Sequence, residues 1–91
     1  MNQLNNLPLS VRVSQLQLGH QATIIQIHGS SRDIQRMNML GLRKGISLTV
    51  VHGPGRRGAV VKVGGARIAL SQEIIDQIEV STTADKETSS L

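Results

Sequence analysis

The chain has 91 residues, enough for one domain, and contains no cysteine and no Phe, Tyr or Trp. These absences exclude disulfides and thiolate metal sites, and they require a core built from Ile, Val, Leu and Met. No apolar run approaches the roughly 18 residues of a transmembrane helix, and the N-terminus does not have the pattern of a secretory signal, so we expect a cytoplasmic protein.

Charge is distributed unevenly along the chain. Residues 1–70 carry nine Lys or Arg and one acid, a net charge of +8, whereas residues 71–91 carry one Lys and five acids, a net charge of −4. A basic body of this kind is typical of proteins that bind nucleic acids, anionic membranes or acidic partners. Because no aromatic side chain is present to stack on bases, nucleic-acid binding is kept only as an alternative.

The two ends of the chain differ in composition from its middle. Residues 1–10 are rich in Asn and Gln and predict a flexible N-terminus. Residues 82–91, TTADKETSSL, predict a disordered C-terminal tail. Residues 11–81 contain the regular apolar patterns and predict a single domain without internal repeats.

The segment QATIIQIHG predicts the first strand, because β-branched residues dominate it and a glycine ends it. Side chains alternate between the two faces of a strand. Ala22 and Ile24 are therefore expected on one face, with Gln26 in the same row. Ile25 and Ile27 are expected on the opposite face.

The segment SSRDIQRMNMLG predicts one short helix over residues 31–40. Ser30 or Ser31 can cap its N-terminus, and Asp33 carries the charge favoured in a first turn. Gly41 is the expected stop, because the position after a helix often adopts the left-handed conformation that glycine tolerates best.

Three more strands and a short final one follow the helix. ISLTVVH and AVVKVG alternate in character, Gly64-Gly65 predicts a two-residue hairpin, and ARIALS brings the chain back. Ser71 can begin a short helical turn before the last strand, QIEVS. The pattern predicts a mainly β fold, a small closed or nearly closed barrel of about five strands with one short helix inserted after the first strand. The residues expected to face inward are Ile46, Leu48, Val50, Ala59, Val61, Val63, Ile68 and Leu70.

The loop HGPGRRG has the pattern G-x-G-x-x-G at Gly53, Gly55 and Gly58, with Arg56 and Arg57 inside it. A dinucleotide-binding loop follows a strand and begins a helix, whereas here a strand is predicted to follow. A proline in the loop also removes one backbone N–H that a phosphate nest would need. The loop therefore predicts a hairpin tip, whose two arginines are candidates for contact with an acidic partner.

Residues able to perform chemistry are few. The three histidines lack the additional ligands of a metal site, and no Ser, His and acid have a spacing that indicates nucleophilic catalysis. His28 and His52 end two predicted strands and could approach each other. We nevertheless expect no catalytic residue, no cofactor and no metal ligand.

Two methionines lie near the end of the predicted helix, two positions apart, and such positions point to different sides of a helix. One of Met37 and Met39 is therefore expected to be exposed. Together with Leu40 it would form an apolar patch for a partner or for self-association. Beside this patch we expect a basic ridge formed by Arg32, Arg36, Arg43 and Lys44.

The segment RMNMLGLRKGISLTVV resembles the RL..LGL.pG..v.v signature of the FeoA family. LQLGHQATIIQI resembles that family's opening and GAVVKVGGARIALSQEIIDQIEV its close, so the resemblance covers about residues 14–81. In two places the chain departs from the family: Lys44 stands where Pro is common, and GRRGA replaces the common GDP before the third strand. The matching signature residues are Arg36, Met37, Leu40, Gly41, Leu42 and Gly45.

The resemblance implies an SH3-like barrel that serves as a small cytoplasmic accessory protein of bacterial ferrous iron uptake. Such proteins act on FeoB, a GTP-hydrolysing membrane transporter. A stand-alone relative of the C-terminal domain of DtxR-type metal-dependent regulators is an alternative. The expected function is a non-enzymatic binding module that presents its helix and the following turn to FeoB. The residues predicted to contact the partner are Arg36, Met37, Met39, Leu40, Gly41, Leu42, Arg43, Lys44, Arg56 and Arg57.

Overall fold

Six antiparallel strands form one sheet in the computed structural model, which describes residues 8–83. The strands wrap around one aliphatic core, which confirms a mainly β fold with a short helix. In that part of the chain no pairing joins β1 to β5, so hydrogen bonds do not close the barrel. The elements are β1 (Pro8–Arg12), a 3-10 turn (Val13–Gln15), β2 (Gln21–Ile27), α1 (Ser31–Met39), β3 (Ser47–Gly55), β4 (Gly58–Val63), β5 (Ala66–Leu70), α2 (Gln72–Ile75) and β6 (Ile78–Thr83), and the strand order is β1-β6-β2-β3-β4-β5.

Strand β1 is an addition to the predicted element order. It pairs with β6 along its whole length, from Pro8 opposite Thr83 to Arg12 opposite Glu79. Pro8 lacks a backbone N–H, but it is the first residue of an edge strand, where proline is tolerated. The fold therefore has six strands, and α1 follows the second of them and not the first.

Part of each segment that composition assigns to a flexible end lies in a strand. Residues 8–10 lie in β1, and residues 82–83 lie in β6. The two segments run beside each other, so each supplies the pairing partner that makes the other a strand. The rest of the predicted ends, residues 1–7 and 84–91, lies outside the described residues.

The core contains apolar side chains only, and no polar or charged side chain is buried among the described residues. Burying one Val, Leu or Ile side chain contributes about 1.5–3 kcal/mol, so the fold needs no aromatic residue. The inward residues predicted for β3, β4 and β5 lie in this core or pack against it. The buried residues are Val13, Leu16, Ala22, Ile24, Ile27, Met37, Leu42, Leu48, Val50, Ala59, Val61, Leu70, Ile75, Ile78 and Val80.

Strand β2 departs from regular alternation. Its register with β6 shifts between Ile24 and Gln26, which makes Ile25 the extra residue of a β-bulge. Ile25 is 39% exposed, whereas Ile27 is buried. The prediction that Ile25 and Ile27 share a face is therefore wrong, because the bulge reverses the alternation after Ile24. Gln26 is exposed for the same reason.

Both helices begin at serine caps. The hydroxyl of Ser30 accepts a hydrogen bond from the backbone N–H of Asp33 at 3.1 Å, so α1 begins as predicted. The hydroxyl of Ser71 accepts one from the N–H of Ile74 at 3.3 Å, which starts the predicted helical turn α2. These bonds satisfy N–H groups that have no partner within the helix.

Candidate docking surface

Helix α1 ends in a Schellman motif that fixes the turn after it. The N–H of Leu42 donates to the carbonyl of Met37, and the N–H of Gly41 donates to the carbonyl of Asn38, both at 3.0 Å. Gly41 has a φ of +98°, the left-handed conformation predicted for the helix stop. The chain therefore leaves the helix in one defined direction.

The Schellman motif also corrects two predicted contact residues. Met37 is 2% exposed and Leu42 is fully buried. They occupy the two positions of the motif whose side chains commonly contact each other. Both are core residues, so neither offers a partner the exposed side chain that was predicted. Their role is to anchor the end of the helix to the barrel.

Met39 and Leu40 are the exposed apolar residues of this region. Their exposed fractions are 78% and 53%. The prediction that one of Met37 and Met39 is accessible is confirmed, and the accessible one is Met39. We call these two residues the Met39–Leu40 patch. Because it is attached to a capped helix end, the patch is presented on rigid backbone.

Exposed cations lie on the same helix and turn as the Met39–Leu40 patch. The single ion pair found in the described part of the chain joins His28 and Glu79, so none of these cations is neutralised by an acid there. The predicted basic ridge is thus exposed as a group of positive charges. Its residues are Arg32, Arg36, Arg43 and Lys44.

A groove of about 450 Å³ lies between α1, the end of β5 and α2. Leu40 and Arg36 border it from the helix, so it continues the Met39–Leu40 patch. The sequence did not predict the groove, because its two sides are far apart along the chain. On the side formed by β5 and α2, the one local sequence feature was the helix cap at Ser71. The lining residues are Asp33, Arg36, Met37, Leu40, Ala69, Leu70, Ser71, Glu73 and Ile74.

Arg56 and Arg57 form the exposed tip of the β3–β4 hairpin, in which Gly55 pairs with Gly58. A strand follows this loop, which confirms the predicted hairpin. A Cβ added to Gly58 would lie 1.8 Å from the carbonyl oxygen of Leu70. The base of the hairpin therefore packs against the strand end that lines the groove. The two arginines and the groove lie at the same end of β4 and β5.

Glu79 connects three strands through its carboxylate. It accepts a hydrogen bond from the Ser10 hydroxyl on β1, and its Oε1 lies 2.9 Å from His28 Nε2 at the end of β2. These two contacts hold the pKa of Glu79 below its ordinary value, and the hydrogen bond from Ser10 has the larger effect. Because the side chains of Ser10 and His28 both contact the Glu79 carboxylate, the cluster links the strands. It does not align Ser10 with His28 for nucleophilic attack.

The predicted approach of His28 and His52 is wrong. The antiparallel register of β2 and β3, with Gln21 opposite Thr49, places the two histidines at opposite ends of these strands. Among the described residues, no three His, Cys, Asp or Glu side chains come close enough together to hold a metal ion. Over the same residues, no helix is long and apolar enough to cross a membrane.

Comparisons with known proteins place this geometry in context. The FeoA domain family matches residues 11–82 of the chain. Iron(II) transport protein A from Clostridium thermocellum is 27% identical, with a TM-score of 0.71, over 79% of this chain and 45% of that one. The zinc complex of Stenotrophomonas maltophilia FeoA, described as a prokaryotic SH3 domain protein, is 25% identical, with a TM-score of 0.67, over 81% of this chain and 98% of that one. A comparison with curated proteins gives no match.

A larger structure contains a similar fold. IdeR from T. acidophilum matches 86% of this chain with a TM-score of 0.72 and 22% identity, and the match covers 37% of that protein. At this identity the likeness concerns the fold alone. The chain thus spans less than half of the IdeR and C. thermocellum structures and nearly all of S. maltophilia FeoA. Together these likenesses confirm the predicted SH3-like fold.

Proposed function

The chain belongs to the FeoA family, and from this premise we propose that it is a non-enzymatic accessory protein of ferrous iron transport. In this proposal it acts in the cytoplasm by binding the GTPase part of the FeoB transporter. The observation that carries the proposal is the Met39–Leu40 patch, exposed on a fixed helix end. The S. maltophilia relative is described as a candidate activating factor for bacterial ferrous iron transport, which supports the same role.

The Met39–Leu40 patch has the physical character of an interface centre. Methionine and arginine are enriched in protein interfaces, and an apolar centre with a polar rim is their usual arrangement. Leu40 and Arg36 lie together along the groove, so apolar and charged contacts are available side by side. Because the Schellman hydrogen bonds already hold the helix end, binding would cost little additional backbone entropy.

Regulation of the transporter requires more than binding. A ligand shifts an equilibrium only if it binds one state of its partner more tightly than another. FeoB hydrolyses GTP and therefore passes through different nucleotide states. We expect the association to depend on which guanine nucleotide FeoB holds.

Co-purification with detergent-solubilised FeoB, without nucleotide, with GDP and with a GTP analogue, tests the proposal. We expect association in at least one state. Met39→Asp should weaken it by about 30-fold, since an interface anchor is worth roughly 2 kcal/mol or more. Leu18→Asp is the matched control, because Leu18 is 64% exposed but lies in the loop before β2, and it should leave binding unchanged.

Two results would count against this function. One is a failure to associate with FeoB in every nucleotide state, and the other is equal weakening by Met39→Asp and Leu18→Asp. A salt titration separates the nucleic-acid alternative. Binding through phosphates weakens steeply with salt, whereas a docking site with an apolar centre keeps much of its affinity.

A further inference from the structure

Two like charges face each other on the outer side of the sheet. Lys62 on β4 lies directly opposite Arg67 on β5, and both side chains are exposed. The Cβ atoms of such a pair are about 4.5–5.5 Å apart, a distance at which like charges destabilise a sheet. Within the described residues, no acid forms an ion pair with either of them. An anionic partner would offset this repulsion, because both cations would be attracted to its negative charge.

The three strands β3, β4 and β5 add no negative charge beside this pair. Residues 47–70, which form β3, β4 and β5, contain four cations and no acid. Alternation places Val60 and Ala69 next to the pair on the same face, and both are small and uncharged. The remaining two cations are at the hairpin tip. Arg56 and Arg57 are at the other end of β4 from Lys62 and Arg67, and we call these four exposed cations together the cationic sheet face.

We propose that the cationic sheet face binds the anionic surface of a lipid membrane. A sheet with short side chains between its cations is a broad surface that suits a layer of headgroups. Single-stranded nucleic acid is favoured less, because binding it uses aromatic side chains on which bases stack, and the chain has none. This inference rests on the proposed function, since a protein bound to the cytoplasmic part of a membrane transporter lies next to lipid headgroups.

The cationic sheet face adjoins the groove beside the Met39–Leu40 patch. Ala69 belongs to the outer face of β5 and also lines the groove beside α1, so the two surfaces adjoin. Weak attraction to the membrane would hold the chain near a transporter embedded in the same membrane. Two linked weak contacts bind more tightly than either contact alone.

Sedimentation of the full chain with lipid vesicles tests the proposal. We expect binding to phosphatidylcholine vesicles that contain phosphatidylglycerol, no binding to phosphatidylcholine alone, and loss of binding as added salt screens the charges. Each Lys or Arg near an anionic membrane strengthens binding about fivefold, so Lys62→Gln with Arg67→Gln should weaken it about 25-fold. Arg32→Gln with Arg43→Gln removes the same charge from α1 and its turn, and should keep most of the binding.

Several results would overturn the proposal. They are no binding to the phosphatidylglycerol vesicles, equal weakening by the two double variants, and displacement of the chain from vesicles by millimolar inorganic phosphate. Binding to polyglutamate or to single-stranded RNA without binding to vesicles would also overturn it.

The same variants separate this proposal from the proposed function. Lys62→Gln with Arg67→Gln should keep the association with FeoB in a neutral detergent, whereas Met39→Asp should weaken that association by about 30-fold and keep vesicle binding. If the chain binds vesicles as described but never binds FeoB, the accessory function fails and the lipid contact stands.

Discussion

Gly58 is the position where the fold leaves the least space for a side chain. Its φ is +107°, and an added Cβ would lie 1.8 Å from the carbonyl oxygen of Leu70. Gly41 also has a positive φ, but no atom lies within 4 Å of its added Cβ. Gly65 has open space and no such φ. The three glycines thus differ in both backbone conformation and available space.

Alanine substitutions at these positions should therefore have graded effects on the free energy of unfolding. Gly65→Ala should leave it unchanged or raise it slightly, because alanine reduces the entropy of the unfolded chain. Gly41→Ala should lower it by about 1–2 kcal/mol through the left-handed conformation. Gly58→Ala should lower it further, because backbone atoms must move. Urea unfolding measures these differences, and equal effects at Gly41 and Gly58 would contradict the close packing at Gly58.

Met37 and Met39 provide a second test at the level of single residues. Hydrogen peroxide transfers one oxygen atom to a thioether, which becomes a sulfoxide while water is released, and accessible methionines react most readily. Of these two residues, we expect Met39, 78% exposed, to be oxidised first and Met37, 2% exposed, to be protected. Peptide mass spectrometry after mild peroxide treatment measures both. Met39→Leu should remove the early product, and comparable oxidation of Met37 in the folded chain would contradict its burial.

At the level of elements, strand β1 depends on few attachments. Among the strands of residues 8–83 it lies at the edge of the sheet and pairs with β6 alone. Side-chain contacts add to that pairing: Val11 packs against the core, Ser10 donates to the carboxylate of Glu79, and the Arg12 guanidinium donates to the carbonyl of Asp76 at 2.8 Å. The state of the Glu79 carboxylate therefore affects how firmly β1 is held.

Acidification should release this attachment. The pKa of Glu79 is lowered from its ordinary value of 4.5 by Ser10 and His28. Stability from a lowered pKa is present in full above the unfolded value and is lost as the pH falls through the lowered folded value. Below pH 4.5 we therefore expect the free energy of unfolding to decrease, with β1 amides losing protection from hydrogen exchange early.

Two variants isolate the part played by Glu79. Glu79→Gln should reduce the pH dependence of unfolding in this acidic range, because the variant has no carboxylate to protonate. Glu73→Gln alters an exposed acid on α2 and should leave the pH dependence nearly as it is. Identical pH profiles for the wild type and Glu79→Gln would show that the three-strand cluster contributes nothing.

Sequence patterns predicted some elements better than others, for a physical reason. Two kinds of feature are local: the apolar and polar alternation in β3, β4 and β5, and the serine cap and glycine stop of α1. They predict these elements without any knowledge of which strands pair. The bulge at Ile25 is defined by the register of β2 with β6, which a single segment does not reveal. Strand β1 escaped prediction because it is short and follows an Asn- and Gln-rich segment, and its pairing with β6 lies far away in the sequence.

At the scale of the whole molecule, the candidate surface was predictable only in part. Positive charge and the exposure of one methionine followed from composition and helical spacing. The burial of Leu42 did not, because it depends on packing against the barrel. The groove was also not predictable, since it forms where α1 meets the end of β5 and α2. Contacts between distant segments determine which residues of the family signature are buried beneath the docking surface and which are exposed on it.

The pairing of β1 with β6 also determines how the domain can be joined to other chains. Pro8 is the register partner of Thr83, and partners of this kind have Cα atoms about 4.5–5.5 Å apart. The domain could therefore be inserted into a single surface loop of another protein, because the two ends of the inserted segment lie side by side.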